Sequence, residues 1–385
     1  MNLSFLRPLY DRPGPWVSVY LDASHDTEDA DSRLALRWRA TREQLAEADG
    51  ATLDALERAV LAHPRRPGQY GLVAFAVGGE VAYVEALAAP PDREIAELAP
   101  LPHAMPLVAA RGEHIPWLRV VVDRTGADIT SATEGGLPRT AQVAGGYEYP
   151  LRKAKPGGWS QPRYQRAAET TWQRNATEVA EAVTDLADAI GPDVLVVAGD
   201  VHARPLVVEH LPKRWRSRVV ESEVGSRAPG ADPEPLDEVT VRAVAELAAA
   251  MTADVLDRFG VQRGRDPGAG NGLGAVVTAL QRAQVDTVLL VNNPSAKHEL
   301  WIGPQPSDIA LTADELRAAG VEHPQQVRAD AALLRAMAGT GADLVLVEPG
   351  AVELDGGIGA VLRYVDESTS KHSTGRSGTV VGDSR

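Results

Sequence analysis

The sequence predicts an α/β protein built as three consecutive α/β domains with a disordered C-terminal tail, and three observations carry that reading. Its 385 residues are too many for one core at about 150 residues per domain. β-rich and helical periods alternate in three successive stretches. Gly/Pro-rich punctuation without apolar periodicity separates them around 145–161 and 260–274. The expected domains are therefore 1–135, 136–262 and 263–365, with 366–385 as the tail.

In the first domain Trp16–Leu21 and Tyr70–Val77 are β-rich, and Arg33–Ala62 is helical with a break at Gly50. Gly78-Gly79 signals a turn, so Glu80–Leu87 returns as a hairpin. Trp117–Val122 adds an apolar strand, and the sheet is expected to be mixed. The second domain opens on GGYEYPLRKAKPGGWSQ, Gly145–Gln161, which has no face to bury and reads as a long exposed loop, with the basic loop bounded at 145–162. A long helix over Arg163–Ile190 follows, then a buried strand Val194–Ala198, a helix Pro205–Leu211, a strand Arg218–Glu223, a loop Gly225–Pro235 and a closing helix Leu236–Phe259.

The third domain starts after QRGRDPGAGNGLG with a helix over Ala275–Gln284 and the apolar strand Thr287–Val291. Leu300–Ile302, helices near Ala313–Ala319 and Ala329–Met337, and strands Leu344–Val347 and Ile358–Tyr364 complete a small α/β sandwich. The tail, DESTSKHSTGRSGTVVGDSR, is rich in Ser, Thr and Gly and cannot offset its ordering entropy.

Composition narrows the function. Apolar residues are 44% and charged residues 24%, enough for each domain to bury a core. There is no cysteine, which removes disulfides, thiolate metal sites and thiol nucleophiles and fits a reducing compartment. The start, MNLSFLRPLYDRPGPW, carries no apolar stretch of signal-peptide length, and no eighteen apolar residues run together, so a cytoplasmic protein without a membrane anchor is expected. A net charge of −14 excludes a chain that coats nucleic acid over its whole surface but leaves room for a local basic face. Only five of the 39 basic residues are lysine, so arginine is the default cation here and a single Arg says little.

Such a face exists. Between Arg152 and Asn175, Arg152, Lys153, Lys155, Arg163, Arg166 and Arg174 stand against Glu169 alone, a net +5 on an acidic chain. Tyr149, Trp159, Tyr164 and Trp172 supply flat faces for stacking, and Gly157-Gly158 allows close backbone approach. Nucleic acid is the natural partner. The same composition also suits a solvated loop whose aromatics pack back on the domain.

Other candidates carry less. KRWRSR, Lys213–Arg218, reads as a charged guard on an edge strand. Gly268–Gly274 is glycine-rich, but a helix precedes it where a dinucleotide fingerprint needs a strand, so it reads as a linker and helix start. Nine single histidines without cysteine give no metal-binding spacing, so no metal or cofactor is expected. Asp26 and Asp29 suit the opening of the helix near Asp31, and Asp200, in the Asp200-x-His202 pair, suits a turn and helix cap. No Gly-x-Ser-x-Gly elbow is present.

The segment GGWSQPRY, Gly157–Tyr164, resembles the Gly-Gly-Gln-Ser-x-x-Arg-Phe signature of the eukaryotic and archaeal class-1 peptide-chain release factors: Gly157, Gly158, Ser160, Arg163 and the aromatic Tyr164 agree, and Trp159 stands where that family has glutamine. AVVTALQRAQVDTVLLV, Ala275–Val291, and LDGGIGAVLRY, Leu354–Tyr364, are similar to the opening and closing elements of the release-factor third domain. GPWVSVYLDASHDTEDA, Gly14–Ala30, looks typical of the actinobacterial group. The chain thus resembles the bacterial, actinobacterial branch of this superfamily, related to Pelota and the ribosome hibernation factor Balon.

That resemblance implies three α/β domains of release-factor and Pelota architecture. It also implies a ribosome-binding translation factor that occupies the A site in hibernation or rescue. Arg152, Lys153, Lys155, Arg163 and Arg166 would then contact ribosomal RNA phosphates near the peptidyl transferase centre, with Gly157, Gly158, Trp159, Ser160 and Tyr164 completing the contact and Trp159 stacked on a base. In release factors the glutamine N–H supports the tetrahedral intermediate; an indole donates one hydrogen bond and accepts none. Gln161 is the candidate catalytic residue if the protein instead hydrolyses peptidyl-tRNA or cleaves the tRNA acceptor end, with Pro162 restricting it toward extended backbone. A non-ribosomal scaffold is the third reading. Implied partners are the ribosome, tRNA, and elongation factor Tu or another translational GTPase; Gly14–Ala30 receives no codon-reading role.

Overall fold

The computed structural model describes residues 1–112, 115–133, 139–144, 161–266, 270–291 and 298–364, those of 139, 144 and 161–171 by backbone only. The chain divides into two compact units, Met1–Gly112 together with the chain from Asp254 onward, and Glu113–Ala253.

The first unit begins with a short helix α1 (Arg7–Tyr10), then β1 (Trp16–Asp22), α2 (Ala30–Gln44), α3 (Gly50–Leu61), β2 (Gly71–Val77), β3 (Glu80–Leu87), β4 (Ile95–Ala99) and α4 (Met105–Arg111). The four strands pair in the order β3-β2-β1-β4, all antiparallel. β1 is buried on both faces because its alternate side chains serve two cores. Val17, Val19 and Leu21 pack with Leu34, Trp38 and Leu56 of the helices. Trp16 and Tyr20 pack with Phe75 and with residues of the C-terminal part of the unit. The Asp49 carboxylate caps α3 by accepting from Thr52 N–H at 3.0 Å.

The second unit holds β5 (Trp117–Asp123), β6 (Gly126–Ala132), β7 (Arg139–Ala144), α5 (Gln161–Ile190), β8 (Val194–Gly199), α6 (Ala203–His210), α7 (Lys213–Arg216), β9 (Val219–Glu221) and the first part of α8 (Glu234–Arg265). Its sheet runs β7-β6-β5-β8-β9, antiparallel on the β6 side and parallel from β5 to β9. Two expectations are corrected here. Trp117–Val122 is a strand, but it pairs with Val194–Gly199 in this sheet, so the sheet of the first domain is antiparallel and the first unit's N-terminal part closes at Gly112, short of 135. The hairpin β6–β7 was unforeseen because Arg139–Ala144 lacks an apolar stripe. Ala176, Val179, Ala180, Val183 and Ala187 of α5 recur at helical spacing and pack with Val207 of α6 against Leu118, Val120, Leu195 and Val197. Leu236 and Ala243 of α8 join a separate cluster with Val194, Val196 and Ala198.

KRWRSR is also corrected. Lys213–Arg216 is the helix α7, with Trp215 buried and its indole N–H donating to Asp188 at 2.8 Å. Arg214 forks onto the same carboxylate, Arg216 donates to the carbonyls of Glu209 and Leu211, and Arg218 donates to Pro192 O at 2.7 Å. These arginines satisfy helix C-termini and tie α5 to α7, which an edge guard facing water would not do.

The C-terminal part adds α9 (Leu273–Gln281), β10 (Val285–Val291), β11 (Glu299–Ile302), β12 (Ile309–Ala310), α10 (Ala313–Ala318), β13 (Gln325–Arg328), α11 (Ala329–Thr340), β14 (Asp343–Val347) and β15 (Ile358–Leu362). Two three-stranded sheets result, β14-β10-β15 and β12-β11-β13. Leu333, Leu334 and Met337 of α11 lie in the same core as Trp16 and Tyr20. The expected tail, 366–385, lies outside the described residues.

Candidate nucleic-acid interface

Of the residues singled out by sequence, Arg152, Lys153, Lys155, Gly157, Gly158, Trp159 and Ser160 lie outside the described residues. Gln161, Arg163, Tyr164 and Arg166 occupy the first turns of α5. The helix starts at Gln161 itself, so the expected extended backbone at this position is replaced by a helix start with Pro162 in the first turn. A proline there loses nothing, because the first N–H groups of a helix have no intrahelical acceptor.

At 100° per residue the register of α5 places positions 163, 166 and 174 on one side, opposite the side that carries Val179 and Val183 onto the sheet. Position 161 falls on the same side as Trp172 and Val179. At about 1.5 Å per residue the helix start lies about 16 Å along the axis from Trp172.

The described root of this helix is fixed by residues from four segments. Asn175, 2% exposed, donates from Nδ2 to the carbonyl of Arg124 at 2.9 Å. The Arg124 guanidinium lies 4.4 Å from the centre of the Trp172 ring and its Nε lies 3.4 Å from Asp200 Oδ2. Asp200 accepts from the N–H groups of His202 and Ala203 at 2.8 and 3.1 Å, so it caps the turn into α6 as the sequence suggests. Burial pushes its carboxyl up, but those N–H groups and Arg124 hold it below the usual carboxylate range.

Arg124 sits in the tight turn Asp123–Gly126. Asp123 accepts from Thr125 N–H at 2.7 Å and Gly126 N–H at 3.0 Å, an Asx turn. Arg227, from the loop after β9, donates to Asp123 at 2.7 Å and lies 3.2 Å from Asp128. Burial again opposes ionisation of Asp123, and the Thr125 hydroxyl and N–H with Arg227 outweigh it. Gly199 brings β8 against β5: its φ is +110°, and a Cβ there would meet the Val122 carbonyl oxygen at 2.0 Å. Arg124 and Arg227 were not identified from sequence; the signal available was the turn string Asp123-Arg124-Thr125-Gly126.

Among the described residues no group of three or more His, Asp or Glu side chains is placed to hold a metal ion. None of their helices is long and apolar enough to cross a membrane.

Fold and site together define a mixed α/β protein in which a long helix packs on a five-stranded sheet and is tied at Trp172 and Asn175 to the turn that carries Arg124. The family model of bacterial archaeo-eukaryotic release factor family 2 matches residues 116–265, and the chain belongs to that family. Two curated relatives from Mycobacterium tuberculosis, the uncharacterized proteins MT2704 (strain CDC 1551 / Oshkosh) and Rv2629 (strain ATCC 25618 / H37Rv), are each 32% identical over 368 residues, spanning 94% of this chain and 97% of the relative. Similar solved structures include Dom34 of S. cerevisiae, a translation termination-like factor (9% identity, 95% of this chain and 94% of that one, TM-score 0.41). Others are Pelota of Archaeoglobus fulgidus (14%, 94% and 92%, TM-score 0.31) and the archaeal translation termination factor aRF1 (16%, 94% and 96%, TM-score 0.27).

Proposed function

We propose that this protein is a ribosome-associated translation factor that occupies the A site and acts in hibernation or rescue, by occlusion rather than by hydrolysis. The observation that carries this reading is the net +5 stretch from Arg152 to Asn175 on a chain of net −14, which runs on in sequence into α5, in a member of a release-factor family. In this reading Arg152, Lys153, Lys155, Arg163 and Arg166 neutralise RNA phosphates, Gly157-Gly158 lets the backbone approach, and Trp159 stacks on a base. Ser160 and Tyr164 fill the remaining contact.

Occlusion is favoured over hydrolysis by the residue at 159. A water and an ester must be admitted where release factors carry glutamine, and an indole fills that space while offering a single donor. Delivery by elongation factor Tu or another translational GTPase, and a cytoplasmic location, belong to the same reading.

Co-sedimentation with ribosomes at rising salt tests it. Wild type is expected to pellet with ribosomes at low salt and to dissociate as salt rises, and replacement of all five cations by glutamine is expected to weaken pelleting strongly and to flatten its salt dependence. Binding that ignores salt or is unchanged by the replacement overturns the proposal. Release of peptide from loaded ribosomes by wild type, lost in Gln161→Ala, would establish the hydrolytic alternative instead.

A further inference from the structure

Resting on that reading, we infer that Arg124 is a positioning residue for the basic segment: by stacking on Trp172 and pairing with Asp200 it fixes the direction in which the first turns of α5 leave the sheet.

The geometry supports this in three ways. Trp172 lies at the boundary between the part of α5 that packs on the sheet, from Asn175 to Ala187, and the eleven residues 161–171 that run on toward the basic loop. A change of helix direction at this point is multiplied along the roughly 16 Å to Gln161. The Arg124 guanidinium is the only group shown stacked on this indole among the described residues, 4.4 Å from the ring centre. The same guanidinium reaches Asp200, whose other oxygen is committed to the α6 turn, so helix direction is referenced to β8 as well as to the β5–β6 turn.

The arrangement is suited to positioning rather than to holding the fold together. The Arg124 side chain is 47% exposed, and an exposed ion pair with one cation–π contact contributes modestly to global stability. The bond from Asn175 goes to the Arg124 main chain, so every substitution at 124 keeps it. Asp123 and Arg227 maintain the turn independently.

Hydrogen exchange of the full-length chain, read by mass spectrometry, tests the inference alongside salt-dependent ribosome binding. In Arg124→Met, amides of 165–172 are expected to exchange about tenfold faster while those of 179–190 keep their wild-type rates. Ribosome affinity is expected to fall about three- to tenfold with an unchanged salt slope, because no phosphate contact is removed. Arg124→Lys is expected to restore part of both effects by keeping the charge beside Asp200. Unchanged exchange at 165–172 overturns the inference, and so does a loss of about one unit in the salt slope, which would make Arg124 an RNA contact. Wild-type binding by the five-cation variant would instead sink the proposed function, while the exchange result would still decide the role of Arg124.

Discussion

The Tyr20 hydroxyl donates to the backbone carbonyl of His103 across 2.7 Å and accepts from Leu107 N–H at 3.1 Å. One fully buried ring in β1 thereby fixes the connection from β4 into α4 and satisfies a carbonyl and an N–H that have no access to water. Burial also pushes this phenol well above its ordinary pKa, so it stays a neutral donor throughout the working range.

Tyr20→Phe keeps the ring and deletes both bonds. A loss of about 1–3 kcal/mol is expected, the cost of leaving buried polar groups unpaired. Urea unfolding followed by far-UV circular dichroism measures it, and a midpoint equal to wild type would show that these groups find other partners.

The Glu97 carboxylate provides a pH-dependent contribution. His103 Nδ1 lies 2.7 Å from Glu97 Oε2 and His103 Nε2 3.9 Å from Asp330. The His103 hydrogen bond holds the Glu97 carboxyl below its ordinary range against the opposing effect of burial. A carboxylate depressed in the folded state gives stability that is present above the unfolded-state pKa of about 4 and is lost as pH falls through the folded one. Melting temperatures from pH 7 down to pH 3 are expected to drop more steeply for wild type than for His103→Gln below about pH 4. Parallel curves would remove the Glu97–His103 pair from the acid response.

The parallel junction of the central sheet depends on Gly199. Any side chain at φ +110° is strained, and here its Cβ would overlap the Val122 carbonyl. Gly199→Ala is expected to destabilise the second unit by more than about 1 kcal/mol. Chemical denaturation measures this, and wild-type stability would mean that β8 can shift away from β5.

Local elements were legible where one period dominates. Trp16–Leu21 is apolar but for Ser18, Gly71–Val77 is an unbroken apolar run, and α5 repeats small apolar residues at helical spacing from Ala176 to Ala187. Assignment to sheets was not. Trp117–Asp123 reads as a strand of whatever precedes it, because nothing local announces a parallel partner at Val194–Gly199. Ile95–Ala99 and Arg139–Ala144 were missed because short edge strands are only partly apolar. At the candidate site the cations of 152–166 stand out against a net charge of −14. The knot of Arg124, Trp172 and Asp200 does not, since its members are far apart in the chain and each is ordinary alone.

The most direct measurement is the affinity for purified large ribosomal subunits across a salt series, for wild type and for the chain with Arg152, Lys153, Lys155, Arg163 and Arg166 replaced by glutamine. Wild type is expected to lose affinity log-linearly with salt at about 0.7–0.9 units per phosphate neutralised, and the variant to bind more weakly with a slope flatter by several units. Equal slopes and equal affinities for the two proteins would contradict a basic segment laid against RNA.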